Sequence, residues 1–294
     1  MSLNKRKIYP SQIALHCVFI LITLCYILPI WLLISVSFDA TGSNANFTLW
    51  PKEFSLAAYK MVFSNPERIL RAYGVTFSYS VLSVVLSLVF MVPVAYALSR
   101  RNFRMRGPIT FILFFTTLFS GGLVPSYLLN SSLGLNNSFW IYIIPGLVSA
   151  WNVIVIRTYF QGLPDELFEC ARLDGASELG ICFRIAVPLS TPVLASVGFL
   201  RFIDQWNQWS VTEIYIRDPK LFSLQYLMQT LLKDLEMVRQ MIDSGFGGYD
   251  ESVLQNLEAM RFAMAVVAAG PALFIFPFFQ KYFKKGMTIG SVKG

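Results

Sequence analysis

Charged residues are scarce in this sequence. Only 14% of its 294 residues are Asp, Glu, Lys or Arg, whereas 55% are hydrophobic and the mean hydropathy is +0.56. So few charges cannot cover the surface of a water-soluble protein of this length. The composition therefore predicts an all-α polytopic membrane protein.

Histidine and cysteine, which often bind metals or take part in catalysis, are also scarce. His16 is the single histidine, and its apolar segment offers no acidic partner before Asp39. The four cysteines, at positions 17, 25, 170 and 182, lack the spacings of metal or redox motifs. No Gly-x-Ser-x-Gly sequence or Ser/His/Asp set occurs in the apolar segments. We therefore expect no metal site and no catalytic residues, and a membrane-embedded enzyme is the less favoured alternative.

A phosphate-binding sequence of the form Gly-x-x-x-x-Gly-Lys-Ser/Thr is absent as well. We therefore expect no ATP site and no cofactor in this chain, and any energy for transport has to come from another subunit. The isoelectric point is about 9.2. Nucleic acid is not the expected partner, because the basic residues stand beside apolar segments and not on one face rich in aromatic side chains.

Long apolar segments are plentiful. About 20 apolar residues in a helix cross the roughly 30 Å of hydrocarbon in a bilayer. Six segments meet this requirement, at 12–38, 72–99, 108–129, 139–159, 188–209 and 258–282. The first is too long for the core of a signal peptide and lacks a small-residue cleavage site, so we interpret it as a retained anchor.

The distribution of charge predicts the orientation of these spans, because Lys and Arg accumulate in short cytoplasmic loops. The stretches that flank the spans on one side of the membrane are 1–11, 100–106, 157–184 and 281–294. They carry 14 basic and five acidic residues, whereas the rest of the chain carries 10 basic and 12 acidic residues. We therefore expect a cytoplasmic N-terminus (1–11), a cytoplasmic C-tail (283–294), and extracytoplasmic loops at 39–71 and 210–257.

The stretch 163–188 is a charged run between two apolar segments. Pro164 and the acids that follow it are typical of the start of a helix. Gly175 is suited to end that helix, because glycine adopts a left-handed conformation without steric cost. Ser177 can cap a second short helix. The pattern predicts a helix, a glycine turn and a second helix that protrude from the membrane and can bind a groove on another protein.

This stretch resembles the signature loop of binding-protein-dependent ABC importer permeases. Glu169-Cys170-Ala171 is followed after three residues by Gly175, after nine more by Ile185, and then by Val187-Pro188. The family pattern has Ala where this chain has Cys170 and Leu where it has Val187, but the spacing is intact.

The resemblance implies a type I ABC importer permease fold with six transmembrane helices, in which 72–282 form the permease core. It implies that 163–188 is a coupling loop with a cytoplasmic coupling helix. It also implies a second homologous permease subunit, two ATPase subunits that bind ATP and Mg, and an extracytoplasmic solute-binding protein. The residues implied in coupling to the ATPase are Glu169, Ala171, Arg172, Asp174, Gly175, Ala176, Ile185 and Pro188.

Other stretches extend this resemblance to carbohydrate importers of the maltose-permease class. They are 120–145, WNQW at 206–209, Leu224-Gln225, and KGMTIGSVKG at 285–294. The similarity is greatest to the branch that serves oligosaccharides and polysaccharide fragments. It implies a carbohydrate substrate and a location in the bacterial cell membrane. The resemblance also implies that 288–294 reach between the ATPase subunits, whereas topology alone explains the lysines before them as contacts with membrane lipid.

Polar residues within the spans are candidates for a substrate pathway. Polar groups are costly in the hydrocarbon and therefore often have a function there, and aromatic faces and amides bind sugars. The candidates are Asn152, Arg201, Gln205, Trp206, Asn207 and Trp209. Each also has a structural alternative. Trp206 and Trp209 could form an aromatic belt, Arg201 could pair with Asp204, and Asn152 could bond a neighbouring helix.

Two further questions stay open from the sequence. The 210–257 loop is expected to contact the binding protein, but its apolar residues at helical spacing over 221–241 could also lie on the membrane. Arg201 leaves open an importer of the same architecture for a glycerol-phosphate ester or a peptide, whereas the two tryptophans of WNQW favour sugar.

Overall fold

The computed structural model describes residues 10–39, 49–244 and 258–272, together with 275, 277, 279 and 280. Within these residues the chain is helical and contains no strand, with one isolated bridge between Asp39 and Phe54. The all-α prediction is thus confirmed for this part of the chain. The predicted C-tail (283–294), residues 1–9, and the last part of the 210–257 loop lie outside the described residues.

Helices make up most of the described residues. In chain order they are α1 (Pro10–Ser37), α2 (Ala57–Val62), α3 (Pro66–Ser99), α4 (Arg106–Leu118), α5 (Leu123–Ser132), α6 (Ala150–Gln161), α7 (Asp165–Leu173), α8 (Glu178–Ile181), α9 (Val187–Leu189), α10 (Thr191–Trp206), α11 (Ser210–Tyr215), α12 (Leu224–Asp243) and α13 (258–272). The 210–257 loop is therefore largely helical as far as it is described, and α12 covers most of the stretch whose spacing is helical.

Two described helices are long and apolar enough to cross a membrane, Ser11–Ser37 and Pro66–Ser99. The second begins six residues before the span expected from the sequence. Two bent pairs also qualify if each pair counts as one span. They are α4 with α5, bent by 120°, and Glu178–Leu189 with α10, bent by 83°. The described residues thus hold two to four candidate spans.

The third expected span, 108–129, is interrupted between α4 and α5. Phe119 is extended, and Gly122 has φ 84° and ψ −173°, a conformation that only glycine adopts readily. Ser120, Gly121 and Gly122 stand at the break, and the positive φ of Gly122 turns the chain there. This part of the chain is two short helices and not one straight helix.

The fourth expected span, 139–159, is not one helix either. A 3₁₀ turn covers Phe139–Tyr142, an irregular segment with Pro145 follows, and α6 begins at Ala150. The 12 residues of α6 rise about 18 Å, which is less than the roughly 30 Å of hydrocarbon. Irregular backbone at membrane depth is tolerated where it is buried in protein or lines a cavity.

By their contacts the described residues form two units. The first comprises residues up to Pro66 and Thr230–Ala269. In it the chain after α1 returns to the end of that helix, where the indole nitrogen of Trp31 donates to the carbonyl of Leu49 at 2.8 Å. Tyr59 stacks on Phe38 with ring centroids 4.8 Å apart. These contacts hold 49–63 against α1.

The second unit comprises Glu67–Gln229 and the described residues from Gly270 onward. It contains two clusters of buried hydrophobic residues. One cluster joins α3, α6 and the helices of the 163–188 loop, and includes Phe160 and Phe168. The other surrounds Tyr79 and Tyr142, whose rings stack at 4.3 Å. The residues considered below as functional candidates all lie in this unit.

Candidate coupling surface and solute pathway

The first helix of the 163–188 loop, α7, has one buried side. Phe168 is fully buried and Ala171, three residues later, is 9% exposed, whereas the acids Asp165, Glu166 and Glu169 are exposed. Both apolar side chains belong to the cluster around Phe160. The helix therefore packs through two residues at i and i+3 spacing and presents its charged side to solvent.

Gly175 ends this helix as expected. Its φ is +78°, its N–H donates to the carbonyl of Arg172, and the N–H of Ala176 donates to the carbonyl of Ala171, both at 3.0 Å. This pair of bonds is the Schellman motif, in which a left-handed residue satisfies the last carbonyls of a helix. The hydroxyl of Ser177 then accepts from the N–H of Gly180 and caps α8, as predicted.

Glu178 joins three parts of this region. One of its carboxylate oxygens accepts from Nε of Arg172 at 2.8 Å, and the other accepts from the hydroxyl of Tyr96 at 2.8 Å. The hydrogen bond from Arg172 lowers the pKa of the Glu178 carboxyl below its ordinary value. Because Tyr96 belongs to α3 and Arg172 to α7, the ionised Glu178 connects the two helices.

The exposed end of α7 is apolar. Leu173, the last residue of the helix, is 88% exposed, and Leu179 is also exposed just beyond the glycine turn. Exposed apolar side chains at the tip of a charged loop are typical of a protein contact. Neither leucine is among the coupling residues expected from the sequence, although Leu173 stands next to Asp174-Gly175 and the turn there predicts its exposure.

The residues expected to couple to an ATPase occupy different positions around this loop. Glu169, Arg172, Asp174, Gly175 and Ala176 lie on its exposed surface. Ala171 does not, because it is buried in the cluster around Phe160. Its small side chain allows α7 to pack closely against other helices of this chain.

Ile185 and Pro188 lie in the connection between the loop and α10. Ile185 is part of a π-helical segment, Cys182–Ala186, and Pro188 is in the single turn of α9. The chain then bends by 83° before α10. Wider π turns are frequent at functional sites and disturb the regular register of a helix. The sequence pattern places the motif residues here but gives no sign of the bend.

Arg201 and Gln205 form a buried polar cluster with α3. Nε and one terminal nitrogen of Arg201 donate to the hydroxyl of Ser83 at 3.2 and 3.0 Å. The amide nitrogen of Gln205 donates to the same hydroxyl at 2.9 Å and to the carbonyl of Tyr142 at 2.8 Å. Arg201 also lies near Asp204, at 3.6 Å, as the i and i+3 spacing suggested.

This cluster supports the irregular segment 143–149. The carbonyl of Tyr142 is at the point where the 3₁₀ turn ends, and Gln205 provides it with a donor. Arg201 approaches Gly146 so closely that a Cβ there would be 2.7 Å from its guanidinium. The amide nitrogen of Gln205 is thus occupied by hydrogen bonds within the chain, to the Ser83 hydroxyl and the Tyr142 carbonyl.

Trp206 is 1% exposed. Its ring stacks on Phe202 with centroids 5.7 Å apart and lies 6.4 Å from Tyr73. The described contacts of this ring are packing contacts within the chain, and its role on a substrate pathway stays a prediction. Of the other candidates, Asn207 is exposed at the end of α10, Trp209 is half-buried at the start of α11, and Asn152 is half-buried in the first turn of α6.

These features define the protein as a helical membrane protein with broken spans and a charged loop held against them. Comparison with known proteins gives the family. Residues 69–289 match the family described as "Binding-protein-dependent transport system inner membrane component". The chain belongs to this family of ABC transport permeases, and its fold is that of an ABC importer permease.

Relatives and a solved structure agree with this assignment. The chain is 38% identical to Protein LplC of Bacillus subtilis, over 91% of this chain and 90% of that protein. It is 34% identical to the polygalacturonan/rhamnogalacturonan transport system permease protein YtcP of Bacillus subtilis, over 94% and 95% of the two chains. It also resembles, with a TM-score of 0.79 and 29% identity over 96% of this chain and 100% of the other, a chain from the crystal structure of a bacterial ABC transporter involved in the import of the acidic polysaccharide alginate.

The burial of Trp206 gives a prediction. Trp206→Ala removes a ring from the core and should lower the free energy of unfolding by about 3–5 kcal/mol, because a cavity remains. The apparent melting temperature in detergent measures this loss. Asn207→Ala, at the exposed neighbouring position, should change it little. A Trp206→Ala protein of normal stability that no longer supports uptake would instead place the ring on the solute pathway.

Proposed function

We propose that this chain is the membrane subunit of an ATP-driven oligosaccharide importer and that its 163–188 loop couples the spans to ATPase subunits. Members of its family work with a second permease, with ATPases and with a solute-binding protein. In the proposed complex this chain forms half of the translocation pathway, and the ATPase subunits bind ATP and Mg. A solute-binding protein on the outside delivers the substrate to the two permease subunits.

The observation that carries the proposal is the division of α7 into two sides. Phe168 and Ala171 attach it to the rest of the second unit, while Leu173, Asp174 and Gly175 are exposed at its end. A partner that binds the exposed end can displace the helix together with the residues packed on its buried side. Such a helix transmits force, whereas an interfacial amphipathic helix would turn its apolar side chains toward lipid.

The proposed topology has six spans with both termini in the cytoplasm. The candidate spans α1, α3 and α4 with α5, together with α10 from the last bent pair, supply four of them. The segment 139–161 and the helix that begins at 258 would supply the other two. The excess of basic residues in 1–11, 100–106, 157–184 and 281–294 supports the cytoplasmic side for these stretches.

The names of relatives support a carbohydrate substrate. Besides YtcP, they include the arabinooligosaccharides transport system permease protein AraQ of Bacillus subtilis, 29% identical over 96% of each chain. No described contact in this chain singles out one sugar, and Gln205 and Trp206 are used in packing. We infer that the exposed or half-buried polar residues Asn207, Trp209 and Asn152 are the better candidates for the pathway.

Leu173 provides a direct test of docking. Leu173→Ser should weaken binding of the ATPase subunits at least tenfold, because burial of a leucine side chain contributes about 1.5–3 kcal/mol. It should not affect folding, since the side chain is exposed. Leu133→Ser, another exposed leucine outside the loop, is the control. Affinity can be measured by titrating ATPase subunits onto the permease pair in nanodiscs, and equal affinity for both variants would contradict docking through α7.

Gly175 provides a second test. Gly175→Val forces a β-branched residue into the left-handed region, at a strain of about 1–3 kcal/mol, and should displace Leu173 and abolish ATP-driven uptake. Gly134→Val is the matched control, because Gly134 has φ +69° and equally open space around its Cβ position but lies in another loop. Uptake into proteoliposomes checks the difference. Normal uptake by Gly175→Val would show that the turn is not needed for coupling.

The substrate class can be tested with the reconstituted complex. Uptake of radiolabelled galacturonan, arabinan and maltodextrin oligosaccharides should be saturable and ATP-dependent for at least one of them. Glycerol 3-phosphate and a tripeptide should be neither transported nor inhibitory. Transport of either control compound in place of every oligosaccharide would overturn the assignment to sugars, while leaving the docking of the ATPases untouched.

A further inference from the structure

Arg100 directly follows α3 and stands at the meeting point of three helices. The sequence accounts for it as one of the basic residues that set topology, and a role of that kind requires only a positive charge. The structure gives it more specific contacts. Its side chain is only 11% exposed, whereas Arg101 and Arg104 beside it are exposed.

The guanidinium of Arg100 donates in three directions. Nε donates to the hydroxyl of Ser99 at 3.0 Å, at the end of α3. One terminal nitrogen donates to the carbonyl of Phe160 at 3.0 Å, in the last turn of α6. The other donates to the carboxylate of Asp165, the first residue of α7, at 3.4 Å. A planar group with five N–H donors can make this set of bonds, whereas an ammonium group cannot reach all three acceptors.

Arg100 also covers the buried side of α7. Its guanidinium carbon lies 4.0 Å from the ring centroid of Phe168 and 5.2 Å from that of Tyr96. Both distances are within the range of cation–π attraction. Phe168 is therefore enclosed by a side chain of α3 and by the guanidinium that follows it, so its position depends on where α3 ends.

A second connection runs parallel to the first. Tyr96, one turn before Arg100, donates to Glu178, and Glu178 accepts from Arg172 near the other end of α7. The helix is thus held to α3 near its first residue by Arg100 and near its last turn through Glu178. By contrast, the covalent connection from the loop to α10 contains a π segment and an 83° bend.

We propose that Arg100 is a positioning residue that makes α3 and α7 move together, so that displacement of the 163–188 loop reaches the spans through α3 as well as through α10. This inference rests on the proposed coupling function of the loop. It predicts a requirement for the shape of arginine at position 100 and not merely for its charge.

The test compares Arg100→Lys with Arg101→Lys in the complete importer reconstituted with its ATPase subunits and binding protein. Both variants keep the charge and hence the topology. Arg100→Lys should reduce the stimulation of ATP hydrolysis by loaded binding protein about tenfold and lower the sugar imported per ATP, within the range of coupling energies between sites. Arg101→Lys should behave as the unaltered protein.

A distance measurement tests whether α3 and α7 move together, and distinguishes this from a general loss of structure in the variant. Spin labels at Arg104 and Glu166, both exposed and neither assigned to docking, report the separation between the end of α3 and α7 after the native cysteines are replaced. The distance should stay constant when ATP and Mg are added to the unaltered importer, and should change or broaden in Arg100→Lys. Tyr96→Phe, which keeps the ring and removes the bond to Glu178, should give a smaller change of the same kind.

The outcomes distinguish the two proposals. Equal stimulation and equal distances for Arg100→Lys and Arg101→Lys would overturn the role of Arg100 while leaving coupling through the loop intact. If the unaltered importer itself shows no ATP-driven uptake and no stimulation, the proposed function fails, and the inference drawn from it fails as well.

Discussion

The burial of Phe168 is the contact on which the 163–188 loop depends. A helix with three acids in its first five residues has no tendency to enter an apolar environment, and Phe168 and Ala171 are its two buried side chains there. Because the attachment uses one narrow side, the other side is left fully exposed. The same contact thus explains why the loop is ordered next to the spans and why its tip is available to a partner.

Arg100 and Gln205 illustrate a second constraint, which is the supply of donors to backbone carbonyls. Arg100 donates to the carbonyl of Phe160 near the end of α6, and Gln205 donates to that of Tyr142 where regular helix stops. Carbonyls that packing or hydrocarbon keeps away from water need partners from the protein. These two polar side chains therefore bond to backbone carbonyls where helices end. Residues without such contacts are the better candidates for binding solute.

Much of the 163–188 loop could be predicted from sequence because its signals are local. The left-handed Gly175 and the cap at Ser177 follow from residue types at adjacent positions, and the structure has both. The breaks in the third and fourth spans could not be read from hydropathy, which counts apolar residues and is insensitive to backbone conformation. The burial of Trp206 could not be predicted from the sequence either, because the ring packs near Tyr73, which is far away in the chain.

Arg100 and Arg101 differ in a way that a count of charges cannot show. Such a count predicts the orientation of the spans in the membrane, but not which basic residue joins the helices. Both residues contribute equally to the basic balance of the 100–106 stretch, yet of the two Arg100 is the one whose side chain is largely buried and bonds to α3, α6 and α7. A residue that joins three helices has to meet geometric demands that its neighbour does not. Since the loop also reaches α10 through a bent and locally irregular connection, the side-chain contacts to α3 form the more direct route by which the position of α7 is communicated to the spans.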